Sequence, residues 1–110
     1  MNVLLYRVGQ PPALTPVTND LSAFQALVGG LIQPVDLPND YVLICNDEGL
    51  LLGLAPNVQV GGAVIAGNVF VVKIDPDDPD QWTGVTADDV PRIRPWIRRV
   101  SPAVALSPRD

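Results

Sequence analysis

The sequence contains no histidine and a single cysteine, and these absences exclude several kinds of catalytic and metal site. Without histidine the chain cannot form Ser/His/Asp or Cys/His triads, use imidazole in acid–base catalysis or bind a metal through imidazole. Cys45 cannot form an internal disulfide or complete a structural zinc site, and its apolar neighbours favour a buried hydrophobic side chain over a nucleophile. We therefore expect a non-enzymatic protein with no catalytic residue, no metal site and no cofactor.

Charged residues make up 17% of the chain and aromatic residues 5%, whereas apolar residues reach 47%. This composition is too apolar for a disordered chain, yet no apolar run approaches the roughly 18–20 residues of a membrane span. No secretory signal peptide is recognisable at the N-terminus, so we expect a cytoplasmic protein that does not associate with membranes. The net charge of −5 disfavours binding to nucleic acid through its phosphates and is compatible with a basic protein partner.

The 110 residues are enough for one domain with one core, and the strongest pattern in them lies between residues 41 and 57. Residues 41–45 and 50–54 are two apolar runs, and the turn residues 46–49 join them, which predicts a β-hairpin. Both runs are apolar on both faces, so we expect central strands covered on each side.

The remaining elements are predicted from capping residues, periodicity and turn residues. Asp20 is a good N-cap for a helix over Leu21–Val28, and the Gly pair that follows ends it. Pro34 places a third extended run, residues 31–37, at a sheet edge or a bulge. The other predicted strands are residues 3–8 and residues 63–74, the latter kinked at Gly67, while residues 10–16 and 58–62 are predicted as loops.

Composition changes at Asp75, where an acidic, proline-punctuated run begins. We interpret residues 75–80 as a solvated linker, because they lack the Gly and Glu spacing of a helix–loop–helix calcium site. Short helical turns are predicted at residues 87–90 and 95–100. The domain boundaries that follow are an α+β core at 1–75, a segment at 76–100 that wraps on that core, and a flexible tail at 101–110.

These elements predict an α+β fold with a small, mostly antiparallel sheet of four to five strands. One helix packs on this sheet, and the irregular or helical C-terminal segment lies on the other side. Because one short helix covers little of a sheet that is apolar on both faces, we expect a homo-oligomer, a dimer or higher, that buries a sheet face or edge.

One basic cluster, near the C-terminus, is the candidate ligand site. It consists of Arg92, Arg94, Trp96, Arg98 and Arg99. Guanidinium groups bind phosphates bidentately and an indole stacks on a base, which indicates a nucleotide-phosphate site. Two alternatives stay open: ion pairs with the nearby aspartates 77, 78, 88 and 89, or an edge that binds protein. Asn57 is either a ligand-orienting residue or a turn and cap residue.

Several short motifs resemble a family of small proteins of unknown function that phages, prophages and plasmids encode. The motifs are Val28-Gly29-Gly30, Asn46-x-Glu48-Gly49, Gly53-Leu54 with Pro56-Asn57, and Ile65-x-Gly67 with residues 69–72, and the resemblance covers residues 3–74. It implies an accessory protein of a mobile element, in the cytoplasm of a bacterial host, that acts by binding.

Three hypotheses follow from the residues and the resemblance together. In the first, the protein counters bacterial defence by sequestering a nucleotide-derived signalling molecule, held by the five residues of the basic cluster together with Asn57. In the second, it inhibits a host defence or regulatory protein through its acidic surface and an exposed sheet edge. In the third, it is a structural module without a ligand.

Overall fold

The computed structural model describes residues 1–100, which form an α+β fold built mainly of antiparallel strands. Within these residues the strands are Asn2–Tyr6 (β1), Ala13–Pro16 (β2), Ile32–Asp36 (β3), Tyr41–Asn46 (β4), Pro56–Val60 (β5), Ala63–Ala66 (β6), Val69–Asp75 (β7), Asp78–Thr83 (β8) and Arg98–Arg99 (β9). The helices are Leu21–Val28 (α1) and Val90–Ile93 (α2), with 3-10 turns at Pro38–Asp40 and Arg94–Trp96. The predicted fold class is confirmed, but the predicted count of four to five strands is too low.

The larger sheet has the strand order β2-β1-β7-β4-β3, and β8 also pairs with the end of β7. All of its pairings are antiparallel. The three central strands β1, β7 and β4 carry the most apolar runs in the chain, as strands buried on both faces must. Strand β3 lies at an edge, as Pro34 predicts, because proline has no N–H to donate to a second neighbour.

Helix α1 covers one face of this sheet. Asp20 caps the helix, since its side chain accepts a hydrogen bond from the Ala23 N–H at 2.8 Å, and Gly29 ends it in the left-handed conformation at φ 81°. Phe24 and Val28 are the buried helix residues, and they pack on side chains from the three central strands. Those side chains are Val3, Leu5, Val42, Ile44, Phe70 and Val72. The predicted helix and its cap are confirmed.

The opposite face is covered by a second sheet and the C-terminal segment. The second sheet has the order β6-β5-β9. This second sheet and the C-terminal segment share a core with residues of the central strands. Their buried residues in that core are Val58 of the second sheet and Val85, Ile93 and Ile97 of the C-terminal segment. The residues of the central strands in that core are Leu4, Tyr6, Tyr41, Leu43, Cys45, Val69 and Val71. Both faces of the three central strands are therefore covered within one chain, whereas β2, β3 and β8 stay largely exposed. The predicted oligomer stays a prediction.

The predicted hairpin at residues 41–57 is wrong in its second strand. Strand β4 forms as predicted and a turn follows it, in which Asn46 Oδ1 accepts from the Glu48 N–H at 2.7 Å. Residues 50–54 are not a strand, because they continue into tight turns closed by Leu52 N–H to Glu48 O at 2.8 Å and Leu54 N–H to Gly49 O at 3.0 Å. Strand β4 instead pairs with β3 and β7, which occupy both of its edges.

The predicted long strand at residues 63–74 is two strands in two different sheets. Gly67 separates them with φ 83°, a conformation that favours glycine, and its N–H donates to Ala55 O at 2.8 Å. The turn sends β6 into the smaller sheet and β7 into the centre of the larger one. What looked like a kink is therefore the point at which the chain changes layer.

Four smaller predictions also need correction. The predicted loops at 10–16 and 58–62 contain β2 and most of β5. The acidic linker predicted at 75–80 is the last residue of β7, the turn that follows it and the first half of β8. The helical turn predicted at 87–90 is displaced to α2, and residues 95–100 form the end of a 3-10 turn and then β9 rather than a helix. The tail predicted at 101–110 lies outside the described residues.

Candidate functional site

Three arginines of the basic cluster line one cavity of about 520 Å³. The cavity lies between β1, the loop that follows it, and the C-terminal segment from α2 to β9. Its lining residues are Tyr6, Pro12, Pro91, Arg94, Pro95, Ile97, Arg98 and Arg99. We call it the basic cavity. The charged side chains that line the basic cavity are all positive, although the net charge of the chain is −5.

The arginines are held by short elements with buried anchors. Pro91 and Pro95 lie at the beginning of α2 and of the following 3-10 turn, where the missing proline N–H is not needed. Ile93 and Ile97 are buried in the core on either side of Arg94. Pairing of β9 with β5 then fixes the backbone of the last two arginines. The local fold therefore directs apolar side chains inward and leaves the guanidinium groups exposed at the cavity.

Tyr6 adds a buried hydroxyl to the basic cavity. Its side chain is 1% exposed, and its hydroxyl has no hydrogen-bond partner among residues 1–100. Burial raises the pKa of Tyr6, and the positive charges of Arg94 and Arg99 oppose that rise. The hydroxyl is therefore protonated at neutral pH and has no acceptor among residues 1–100. A buried polar group without a partner costs roughly 1–3 kcal/mol, so an acceptor on a ligand would remove a real penalty.

The other three predicted ligand residues do not line the basic cavity. Trp96 is 45% exposed. Arg92 lies near Tyr41, whose pKa is raised by burial and by Asp89, with a smaller opposing effect of the Arg92 charge. Asn57 is fully buried, and its Nδ2 donates to Tyr6 O at 2.8 Å and to Gly67 O at 2.9 Å. Asn57 therefore supports the backbone of Tyr6 and the layer-changing turn.

Asp89, one of the aspartates predicted as possible ion-pair partners of the basic cluster, instead accepts hydrogen bonds from Tyr41 and Thr86. It accepts from Tyr41 Oη at 2.5 Å, from the Thr86 N–H at 2.8 Å and from Thr86 Oγ1 at 3.2 Å. Burial alone would raise the pKa of Asp89, but these hydrogen bonds and the charge of Lys73 lower it overall. This network fastens the segment before α2 to β4 and does not neutralise the arginines of the basic cavity.

Cys45 is a structural residue, as predicted. Its side chain is 5% exposed and its thiol donates to Gln33 O at 3.5 Å. Burial raises the pKa of this thiol, with a further rise from the charge of Asp47, and both effects favour the protonated form. Across residues 1–100, no three His, Cys, Asp or Glu side chains come together as a metal site.

No helix in the described part of the chain has both the length and the apolar character needed to cross a membrane.

A comparison with protein-family profiles matched residues 1–98 to the family described as a domain of unknown function, DUF3846. The match covers nearly all of the 110 residues, so the chain belongs to this family. It extends past residue 74, where the resemblance seen in the sequence motifs ended, and includes β8, α2 and the first residue of β9. Comparisons with curated proteins and with solved structures gave no match.

Proposed function

We propose that this member of a family of unknown function is a non-enzymatic binding protein that holds a phosphate-bearing, nucleotide-derived small molecule in the basic cavity. The observation that supports the proposal is the placement of Arg94, Arg98 and Arg99 on one cavity together with the unpartnered hydroxyl of Tyr6. The three arginines belong to the basic cluster that the sequence indicated, whereas Tyr6 lies near the N-terminus.

The chemistry of the lining matches the two parts of such a ligand. Arginine binds phosphate oxygens through two parallel N–H groups, and a charge-assisted bond of this kind is about twice as strong as a neutral one. A volume of about 520 Å³ lies within the range of roughly 300–1,000 Å³ typical of small-molecule sites. The apolar surface of Pro12, Pro91 and Ile97 provides contact for a sugar or base beside the phosphate.

The biological role that we propose is sequestration. A protein of a phage or other mobile element, present in the cytoplasm of a bacterial host, would bind a nucleotide-derived defence signal and withdraw it from its receptor. This part rests on the resemblance of the motifs to proteins of mobile elements and on the absence of an evident catalytic group in the sequence. Binding without turnover requires only the positive charges, the hydroxyl and the volume of the basic cavity.

Isothermal titration calorimetry with a panel of cyclic nucleotides and ADP-ribose derivatives tests the site. We expect one compound of this panel to bind the wild-type protein. Arg94→Ala and Arg98→Ala should each lower the affinity for that compound by roughly 10- to 100-fold, because each removes a charge-assisted contact. Arg92→Ala is the matched control, since it deletes the same side chain from the same cluster but outside the cavity.

Two results would overturn the proposal in different ways. Unchanged affinity in both Arg94→Ala and Arg98→Ala would reject the basic cavity as the site while leaving the ligand identified. No binding of any panel member to the wild-type protein would reject the ligand class. In that case, a defined host protein recovered with the wild-type chain would support the inhibitor hypothesis instead.

A further inference from the structure

A second cavity, of about 400 Å³, lies between the edge of β6 and the end of β4, away from the arginine cluster in sequence. Cys45, Ile65 and Ala66 contribute apolar surface to it, and Leu50 and Leu51 form one wall. We call it the apolar groove. The charged residues among its lining are Asp47 and Glu48, both negative and both exposed.

Three consecutive leucines project beside this groove. Leu50, Leu51 and Leu52 are 73%, 86% and 57% exposed, and we call them the leucine loop. The loop is braced by the turn hydrogen bonds that replace the expected second hairpin strand. It is also seated closely on β6, because a Cβ at Gly49 would meet the carbonyl oxygen of Ala66 at 2.9 Å. The backbone therefore holds the leucines outward, an arrangement typical of an interaction surface.

We infer that the leucine loop and the apolar groove form a symmetric contact between two copies of this chain. A two-fold interface requires a patch that is complementary to itself. Here an apolar projection and an apolar recess lie side by side on the same patch, so a two-fold rotation inserts the projection of each copy into the recess of the other. The occupant of the groove is thus the leucine loop of a second copy.

The volume of the groove agrees with this occupant. Truncating one buried leucine to alanine leaves a cavity of roughly 150 Å³, so a space of about 400 Å³ accommodates two to three leucine side chains. Leu50 and Leu51, the two most exposed members of the loop, provide two of these. The contact buries the leucine loop beside the edge of β6, whereas the sequence predicted an oligomer interface at a sheet face or edge.

The charges place a second condition on the contact. Because the charged residues that line the groove are both acidic, a symmetric contact there has no pairs of opposite charge across it, and these carboxylates fall at its polar rim. Added salt should therefore leave the association unchanged or strengthen it. A basic peptide as occupant would show the opposite dependence, because salt screens attraction between opposite charges.

Sedimentation equilibrium of the full chain at low and high salt tests the inference. We expect a dimer of twice the 11.8 kDa chain mass, retained at high salt. Val64 also lines the groove and is 40% exposed. Leu51→Asp on the leucine loop and Val64→Asp in the groove should each lower the association constant by about 100-fold, because a charge at the centre of an apolar contact disrupts it. Leu21→Asp is the matched control, since Leu21 is 56% exposed on α1 and does not line the groove.

The inference is overturned by a wild-type chain that stays monomeric at about 100 μM, where a standard-sized specific interface is normally populated. It is also overturned by a dimer that both Leu51→Asp and Val64→Asp retain, or by one that dissociates with added salt. Circular dichroism of each variant confirms that the fold is kept, and neither variant touches the basic cavity.

Discussion

Replacing Tyr6 by phenylalanine should stabilise the ligand-free protein, which is the reverse of the usual effect of deleting a buried polar group. The Tyr6 side chain is 1% exposed and its hydroxyl has no partner among residues 1–100. Leaving a buried hydroxyl unpaired costs roughly 1–3 kcal/mol, so removing it should raise the free energy of unfolding by about 1 kcal/mol. With a typical urea dependence for a small domain, the unfolding midpoint rises by roughly 0.5 M.

The same substitution should weaken ligand binding. If a phosphate oxygen accepts a hydrogen bond from Tyr6, its loss costs about 1.5–3 kcal/mol, the value of a hydrogen bond to a charged group, or roughly 10- to 150-fold in affinity. Tyr6→Phe should therefore move stability and affinity in opposite directions, whereas a purely structural tyrosine would not.

Tyr41 is the matched control because it is the other tyrosine, is 2% exposed, and donates to Asp89. Tyr41→Phe should lower the free energy of unfolding by about 1.5–3 kcal/mol, the value of a hydrogen bond to a charged group. Urea unfolding of the three proteins, without ligand, provides the comparison. A loss of stability in Tyr6→Phe as large as that in Tyr41→Phe would refute the assignment of an unpartnered hydroxyl.

Two further predictions concern the frame around the site. Because the pKa of Asp89 is lowered in the folded protein, its ionised form contributes stability above the ordinary value of 3.8, and this stability is lost as pH falls through the lower folded value. Thermal unfolding between pH 2 and 7 should show a steeper acid loss in wild type than in Asp89→Ala; equal slopes would contradict this. Gly67→Ala should lower the free energy of unfolding by about 1–2 kcal/mol, because φ of Gly67 is 83° and a Cβ there would meet Leu54 Cδ1 at 2.8 Å. Gly62→Ala is the control, because a Cβ there meets no atom within 4 Å, and it should change the free energy of unfolding by less than about 0.5 kcal/mol.

Local chemistry explains which elements the sequence predicts well. Helix α1 forms as predicted because its cap at Asp20, its apolar stripe and its Gly29 end are all within ten residues of one another. Strand β4 is likewise recognisable from its own apolar run. The strands that pair with β4 cannot be recognised in the same way. Strand β3 precedes β4 and strand β7 follows it by more than twenty residues, whereas residues 50–54 are the apolar run nearest to β4 in sequence and were therefore predicted as its partner.

The leucine run shows the limit of apolar patterning. Residues 50–54 have the composition of a buried strand, yet three of them are among the most exposed large apolar side chains of the described protein. Composition alone cannot separate a buried strand from an apolar surface, because both are runs of the same residues. The turn that Gly49 and Gly53 permit is the local signal that could have indicated the exposed loop.

The candidate site was only partly predictable for the same reason. Arg94, Arg98 and Arg99 were found because they are close in sequence, and the basic cavity brings them together. Tyr6 was missed because it is about ninety positions away and reads as a core strand residue. The available signal was its hydroxyl, which needs a partner when buried. Asn57 was predicted to be either a ligand-orienting residue or a turn and cap residue, and in the structure its amide donates to the backbone of Tyr6 and of Gly67.

Native mass spectrometry of the wild-type chain with cyclic nucleotides and ADP-ribose derivatives is the most direct test of the proposed binding function. We predict that one of these compounds adds its mass stoichiometrically to the chain, that Arg92→Ala retains the adduct, and that Arg94→Ala loses it. Spectra in which no member of the panel adds its mass to the wild-type chain would contradict the function proposed for the basic cavity.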